Sequence, residues 1–251
     1  MAKASKARAR RISPTFPAAD GRLALLLAAA AMLLGARVWL AENPQHNPWA
    51  SLDLRDPHGL FTGAKLASLR GDIPACHAVL NRSEVTFTSL EPAIDGECAR
   101  PDRVILGDTL LVPADPQMTC PVAAGLSMWI DQDVQRLARD ILGSSVIRVE
   151  QLGTYSCRRM YGAPGGDWSE HATGNAIDIS AFILADGRQI SLLEDWEAGS
   201  AGDNASARFL RETRDSACRS FGTVLSPDYN AAHADHFHLD QARSPDRGIC
   251  R

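Results

Sequence analysis

Ten consecutive residues, Ser169-Glu170-His171-Ala172-Thr173-Gly174-Asn175-Ala176-Ile177-Asp178, carry a histidine and an aspartate seven positions apart with a glycine between them. A turn at His171, a backbone bend at Gly174 and a strand through Asp178 would bring an imidazole and a carboxylate to one point, both being ligand types that zinc accepts. A second group, His233-Ala234-Asp235-His236-Phe237-His238-Leu239-Asp240, holds three of the chain's seven histidines. Read as a strand, it turns Phe237 and Leu239 inward and leaves His236, His238 and Asp240 on the other face, with Asp235 in the lead-in turn. Three protein ligands and one open position make the layout of a catalytic zinc site, in which the metal lowers the pKa of its water and a nearby carboxylate takes the proton. Taken singly, the first string also reads as a loop with a capping Asp and the second as a solvated strand edge. Their occurrence together in an exported chain favours the metal.

Elements must exist to position these residues. Apolar residues at Leu126, Trp129, Ile130, Val134, Leu137 and Ile141 follow helical spacing and stop at Gly143, where a C-cap is expected. Val146 to Leu152 and Ala176 to Ile179 read as strands, Phe209 to Phe221 as a helix, and Phe237 to Asp240 as a final strand. In this reading Ile177 and Ile179 face the core. Strands interleaved with helices at these spacings predict an α+β domain on a small, mainly antiparallel sheet with flanking helices, preceded by an N-terminal hydrophobic helix.

The net charge of −4 and the absence of a basic face beyond the extreme N-terminus argue against nucleic acid as a partner. Residues 1–22 form a basic tail with Lys3, Lys6, Arg8, Arg10, Arg11 and Arg22 against Asp20, and the segment 23–40 is apolar apart from Arg37. Such a pairing is either an uncleaved transmembrane anchor or a cleaved secretory signal. Turn-rich sequence through Asn43-Pro44, Asn47-Pro48 and Asp56-Pro57 marks 41–72 as a linker, with the folded domain occupying 73–251. All six cysteines follow the apolar segment, and an even number in an exported chain implies disulfides, although the pairing is open among fifteen possibilities. Six buried free thiols are the competing reading. Residues 76–119 show no chemical signature beyond two cysteines and are read as cover for one sheet edge.

The strings Ser169-x-His171-x-x-Gly174-x-Ala176-x-Asp178 and Asp235-x-x-His238 resemble the motif pair of the D-Ala-D-Ala metallopeptidases, whose superfamily includes lysostaphin-type peptidases and hedgehog domains. The longer run from Cys76 to Cys250, with Cys120-Pro121, Trp129 and Tyr155-Ser156-Cys157-Arg158-Arg159, resembles the bacterial extensin-like C-terminal domain family. The resemblance implies a hedgehog-like or peptidase-like fold and a zinc site of His171, Asp178 and His238. It assigns Asp235 as general base, where many relatives carry Glu, and places His236 beside the metal rather than on it. Family peptidases often hold a substrate carboxylate with an Arg just after a Tyr. Here the order is Tyr155-Ser156-Cys157-Arg158, which makes Arg158 the candidate and Arg159 a surface residue. A planar guanidinium there would suit capture of a peptide carboxylate. Trp168 reads either as a rim aromatic or as packing against the sheet.

The function this implies is an exported zinc peptidase or amidase, inner-membrane anchored with a periplasmic domain or secreted if the signal is cleaved. Its expected substrate is peptidoglycan peptide, attacked at an amide by zinc-activated water. The alternative is a non-catalytic, zinc-stabilised module that binds the wall or a protein partner.

Overall fold

The long central helix begins at a disulfide and ends on a left-handed glycine, and the sheet that bears the two motifs packs beneath it. In this computed structural model, residues 18–197, 204–242 and 249–251 are described. Most of the basic tail lies outside them. Helix α1 (Ala18–Glu42) forms one unit and Pro44–Arg251 a second, compact one. From Gly21 to Glu42, α1 is long and apolar enough to cross a membrane. At 1.5 Å per residue it exceeds the roughly 30 Å of a hydrocarbon core.

Within the compact unit the order is α2 (Thr62–Ser68), α3 (Ile73–Arg82), β1 (Phe87–Ser89), β2 (Val104–Leu106), β3 (Leu111–Val112), α4 (Cys120–Met128), α5 (Gln135–Leu137), β4 (Val146–Gly153), β5 (Ala176–Leu184), β6 (Gln189–Ser191), α6 (Leu192–Asp195), α7 (Ala205–Ala217), β7 (Thr223–Leu225) and β8 (Phe237–Asp240). β3, β4, β5, β8 and β7 lie side by side in that order, and β6 pairs with the far part of β5. Every pairing in this sheet is antiparallel except β3 with β4, while β1 and β2 form a separate antiparallel ribbon. The α+β class and the mainly antiparallel sheet are as the periodicity predicts.

Residues 120–142 are helical throughout, through two wider-wound stretches, Trp129–Val134 and Ala138–Leu142, and stop at Gly143 with φ of 69°. The helix N-terminus is capped from another segment: Asp102 Oδ2 accepts from the Cys120 amide at 2.7 Å. Trp129 is the centre of the core. Its ring meets Phe182 and Phe221 edge to face at 6.2 Å, and its indole N–H donates to Ser216 Oγ at 3.0 Å. β5 runs on to Leu184, beyond the expected Ile179, because its second half pairs with both β4 and β6. The helix expected over Phe209 to Phe221 instead starts at Ala205, where the side chain of Asn204 accepts from the Ser206 amide, and ends at Ala217.

One reading is corrected. Residues 44–72, expected to be a linker, belong to the compact unit, with Leu52, Leu54, Leu66 and Leu69 all buried in the core. The Pro and Asn signals mark turns within a packed segment, held by Gln132 Nε2 donating to Asp56 O at 2.7 Å and by the Leu54 amide donating to Ser83 Oγ at 2.8 Å. Leu52 and Leu54 stand alone between turns, and α2, with Leu66 inside it and Leu69 at its end, is only seven residues long, so the burial of this segment leaves no clear period in the sequence.

The six cysteines pair as Cys76–Cys120, Cys98–Cys157 and Cys218–Cys250. The first ties α3 to the start of α4, the second ties the 96–98 turn to the segment after β4, and the third fastens the C-terminus to the end of α7. Bonds of this kind persist in oxidising compartments. Replacing Cys76 and Cys120 together by Ser should lower the unfolding free energy by about 4 kcal/mol in the chain-entropy model for a loop of this length. Trp129→Ala should cost about 3–5 kcal/mol by leaving a cavity. Urea denaturation of the full chain in detergent, followed by circular dichroism, measures both.

Candidate metal centre

Asp178 and His238 are directly opposite each other on the neighbouring strands β5 and β8. Residues so paired project from the same face, so the register alone sets the carboxylate beside the imidazole. The partners on either side, Ile177 with Leu239 and Ile179 with Phe237, are fully buried on the other face, as alternation predicts. Slipping this register by one residue would exchange the two sets, and the buried Ile, Leu and Phe side chains therefore lock the polar pair in place.

His171 arrives from outside the sheet. It lies in a short 3-10 turn, Glu170–Thr173, whose start is capped by Ser169 Oγ accepting from the His171 amide at 3.3 Å. Gly174 closes the turn at φ of 70°, a left-handed conformation that a side chain would strain. Fully buried Ala176 then begins β5. The spaced residues of the first motif thus have separate tasks: cap, ligand type, turn closure, close packing and carboxylate.

At the centre, His171 Nε2 is 3.1 Å from Asp178 Oδ1 and 3.0 Å from His238 Nδ1, and the last two atoms are 3.0 Å apart. Each ring has its other nitrogen on an acceptor: His171 Nδ1 faces Thr154 O at 3.3 Å and His238 Nε2 faces Asp240 Oδ2 at 3.0 Å. A neutral ring that donates to those acceptors turns a bare lone pair inward. Two lone pairs and a carboxylate oxygen then face one another across a triangle with edges of 3.0–3.1 Å, which only a shared proton or a cation satisfies. Ligands about 2.0–2.1 Å from a tetrahedral zinc stand about 3.3 Å apart, so the spacing and the N/O donor set both fit that ion.

The electrostatics agree. Burial works against the charged form of His238, but its bonds to Asp178 and Asp240 outweigh burial and raise its pKa to about 9. Burial likewise opposes ionisation of Asp178, and hydrogen bonds from His171 and His238 reverse this and hold it well below the usual carboxylate range.

His236 lies at the edge of the centre, with Nε2 3.8 Å from Asp178 Oδ1, and its Nδ1 donates to Asp235 Oδ1 at 2.7 Å. Asp235 occupies the lead-in turn, as expected, and is half exposed. Three residues without an assigned role in the sequence join the site. Asp240 orients His238, and alternation had already placed it on this face. His233 packs against both His236 and His238, at ring distances of 5.2 and 5.9 Å, and donates through Nδ1 to Asn230 Oδ1 at 2.8 Å. Burial, followed by repulsion from His236 and His238, lowers its pKa to about 4, so it is neutral at pH 7. Glu170 accepts from Asn175 Nδ2 at 2.6 Å, while burial raises its pKa. Only the density of histidines hinted at His233, and no sequence signal marked Glu170.

Arg158 is exposed, and its main-chain oxygen accepts from the Ser169 amide at 3.1 Å, fixing the start of the ligand loop. Arg159 is engaged elsewhere, its guanidinium lying 4.4 Å over the Trp168 ring. Trp168 pairs through its backbone with Arg159 and is partly exposed, so it packs on the 158–169 loop rather than on the sheet.

No curated protein and no solved structure matches the chain. The family model described as "Extensin-like protein C-terminus" matches residues 74–251, which contain all three disulfides and the whole His171, Asp178 and His238 cluster. The chain belongs to the extensin-like protein C-terminus family.

Proposed function

We propose that this protein is an exported zinc peptidase or amidase that hydrolyses amide bonds in cell-wall peptides. The observation that carries the proposal is the 3.0–3.1 Å triangle of His171 Nε2, Asp178 Oδ1 and His238 Nδ1, with the far nitrogen of each ring already on an acceptor. His171, Asp178 and His238 would hold the metal. Zinc bound there supplies Lewis acidity, polarising an amide carbonyl and making water acidic near neutral pH.

The protein supplies the proton transfers. His236 presents Nε2 toward the centre and Asp235 holds its other nitrogen, so the pair accepts the proton of an attacking water and returns it to the leaving amine. In this arrangement Asp235 acts through His236. Asp240 and the Thr154 carbonyl fix the tautomer of the two ligand rings, a task that outer carboxylates and carbonyls perform at many zinc sites. A peptide substrate is supported by the resemblance of the two motifs to the D-Ala-D-Ala metallopeptidases. Export is supported by α1 and by the three disulfides, with α1 serving as anchor or signal.

Plasma mass spectrometry of the oxidised full chain should find one zinc per molecule, lost in His171→Ala and in His238→Ala. Asp240→Asn should weaken zinc binding by about 10- to 100-fold in a chelator competition while leaving the fold intact. Asp235→Ala and His236→Ala should keep zinc and lower muropeptide hydrolysis by about 10²- to 10⁴-fold. Undiminished cleavage by the His238→Ala protein, or no zinc in the wild type after refolding with the metal, overturns the proposal.

A further inference from the structure

The compact unit begins without a stalk. Helix α1 ends where the amide and the side-chain Nδ2 of Asn43 both donate to Trp39 O, at 2.9 and 2.8 Å, and the next residue, Pro44, already belongs to the compact unit. Pro44 O accepts from Lys65 Nζ at 2.7 Å and from the Asn47 amide at 3.1 Å, and Gln45 O accepts from the Phe61 amide at 3.3 Å. Gly59 lies so close to Gln45 that a side chain there would collide with its carbonyl. Residues 44–47 are therefore clamped by 59–65, where the turn-rich sequence suggested a linker.

Two large apolar side chains of this clamped segment are left in water. Trp49 is 85% exposed and Leu60 78% exposed, although Leu52 and Leu54 between them are buried. Both lie on adjoining pieces of chain: the Leu60 amide donates to His46 Nδ1 at 3.1 Å, and the Trp49 amide donates to Asn47 Oδ1 at 3.0 Å. Residues 44–52 contain no Asp, Glu, Lys or Arg, and the first charges that follow, Asp53 and Arg55, pair with each other at 2.7 Å. An isolated exposed Leu calls for no explanation, whereas an exposed Trp on the adjoining turn, seven residues past the end of a helix long enough to cross a membrane, does. Seven residues reach at most about 25 Å, and an indole, apolar with one polar N–H, is a side chain that settles at the headgroup level. α1 itself carries Trp39 in its last turn, the position of an interfacial aromatic.

We infer that the first segment of the compact unit docks on the membrane that α1 crosses, with Trp49 and Leu60 seated at the boundary between lipid headgroups and acyl chains. The partner is a bilayer surface, bound by apolar side chains on an uncharged stretch of chain rather than by a basic patch. The inference rests on α1 serving as the anchor in the proposed export route, and it is independent of whether the metal centre cleaves peptides. Docking of this kind confines the compact unit to the bilayer surface instead of letting it range on a flexible tether.

The test is tryptophan fluorescence of the full chain in nanodiscs of phosphatidylethanolamine and phosphatidylglycerol whose acyl chains are either plain or brominated near the headgroups. Trp39→Phe removes the aromatic of α1, and the difference between that protein and the double variant Trp39→Phe, Trp49→Phe isolates Trp49 from Trp129, Trp168 and Trp196. Bromine should lower the Trp49 emission about twofold or more, and Leu60→Trp in the double variant should respond in the same way. Trp49 emission that ignores bromine and yields to iodide in the aqueous phase overturns the inference, as does a Leu60→Trp probe that behaves so. Mass spectrometry of the protein recovered from its cells separates the two readings. A chain found only in soluble form and without α1 removes the anchor and the docking together while leaving the metal centre's reading intact, whereas an intact, membrane-bound chain with a water-exposed Trp49 overturns the docking alone.

Discussion

Two imidazole nitrogens and a carboxylate oxygen drawn within about 3 Å of one another, largely out of water, repel unless something positive lies among them. Much of the compact unit can be understood as the means of enforcing that approach. The fully buried Ile177, Ile179, Phe237 and Leu239 set the register that opposes Asp178 to His238. The cap at Ser169 and the left-handed Gly174 aim His171 from the side. Thr154 and Asp240 take up the outer nitrogens, so neither ring can relieve the conflict by turning its protonated nitrogen inward without losing a buried acceptor.

Such a cluster is costly in a fold of modest stability, and the surrounding structure is braced accordingly. The helix through residues 120–142 buries Trp129 against Phe182 and Phe221, with Phe182 coming from the same strand as Asp178. The three disulfides do not enter the centre. They fasten the pieces around it, most directly through Cys157, two residues beyond Tyr155, and Cys98, in the turn that rests on the His171 loop. Cross-links of this kind act mainly on the unfolded chain, and so they add stability without altering the geometry of the ligands.

The site is also layered by exposure. The ligands, Asp240, His233 and His236 are all buried or nearly so, and Asp235 reaches water. A proton moved along Asp235 and His236 would therefore pass between the centre and solvent without requiring the ligand residues to change charge. Arg100 and Tyr155 stack on each other beside the His171 turn, brought together from segments more than fifty residues apart in the chain.

The candidate ligands were legible in the sequence because each is embedded in a local pattern with a physical meaning. Glycine stands where a left-handed turn is needed, and apolar residues alternate with His and Asp along a strand, so the face borne by His236, His238 and Asp240 follows from a period of two. Helical spacing ending at Gly143 revealed the central helix for the same reason. What only the tertiary structure decided depends on contacts with no period. The cysteine pairing is one case, since six equivalent thiols carry no partner information. The packing of 44–72 is another, since Leu52 and Leu54 stand among turn residues and α2, which carries Leu66 and is capped by Leu69, is too short to set up a clear period. The third is the meeting of Arg100 with Tyr155 and the His171 turn, a contact between segments more than fifty residues apart that is set by a disulfide and by how residues 93–100 pack. Local chemistry named the centre, and long-range packing alone determined what surrounds it.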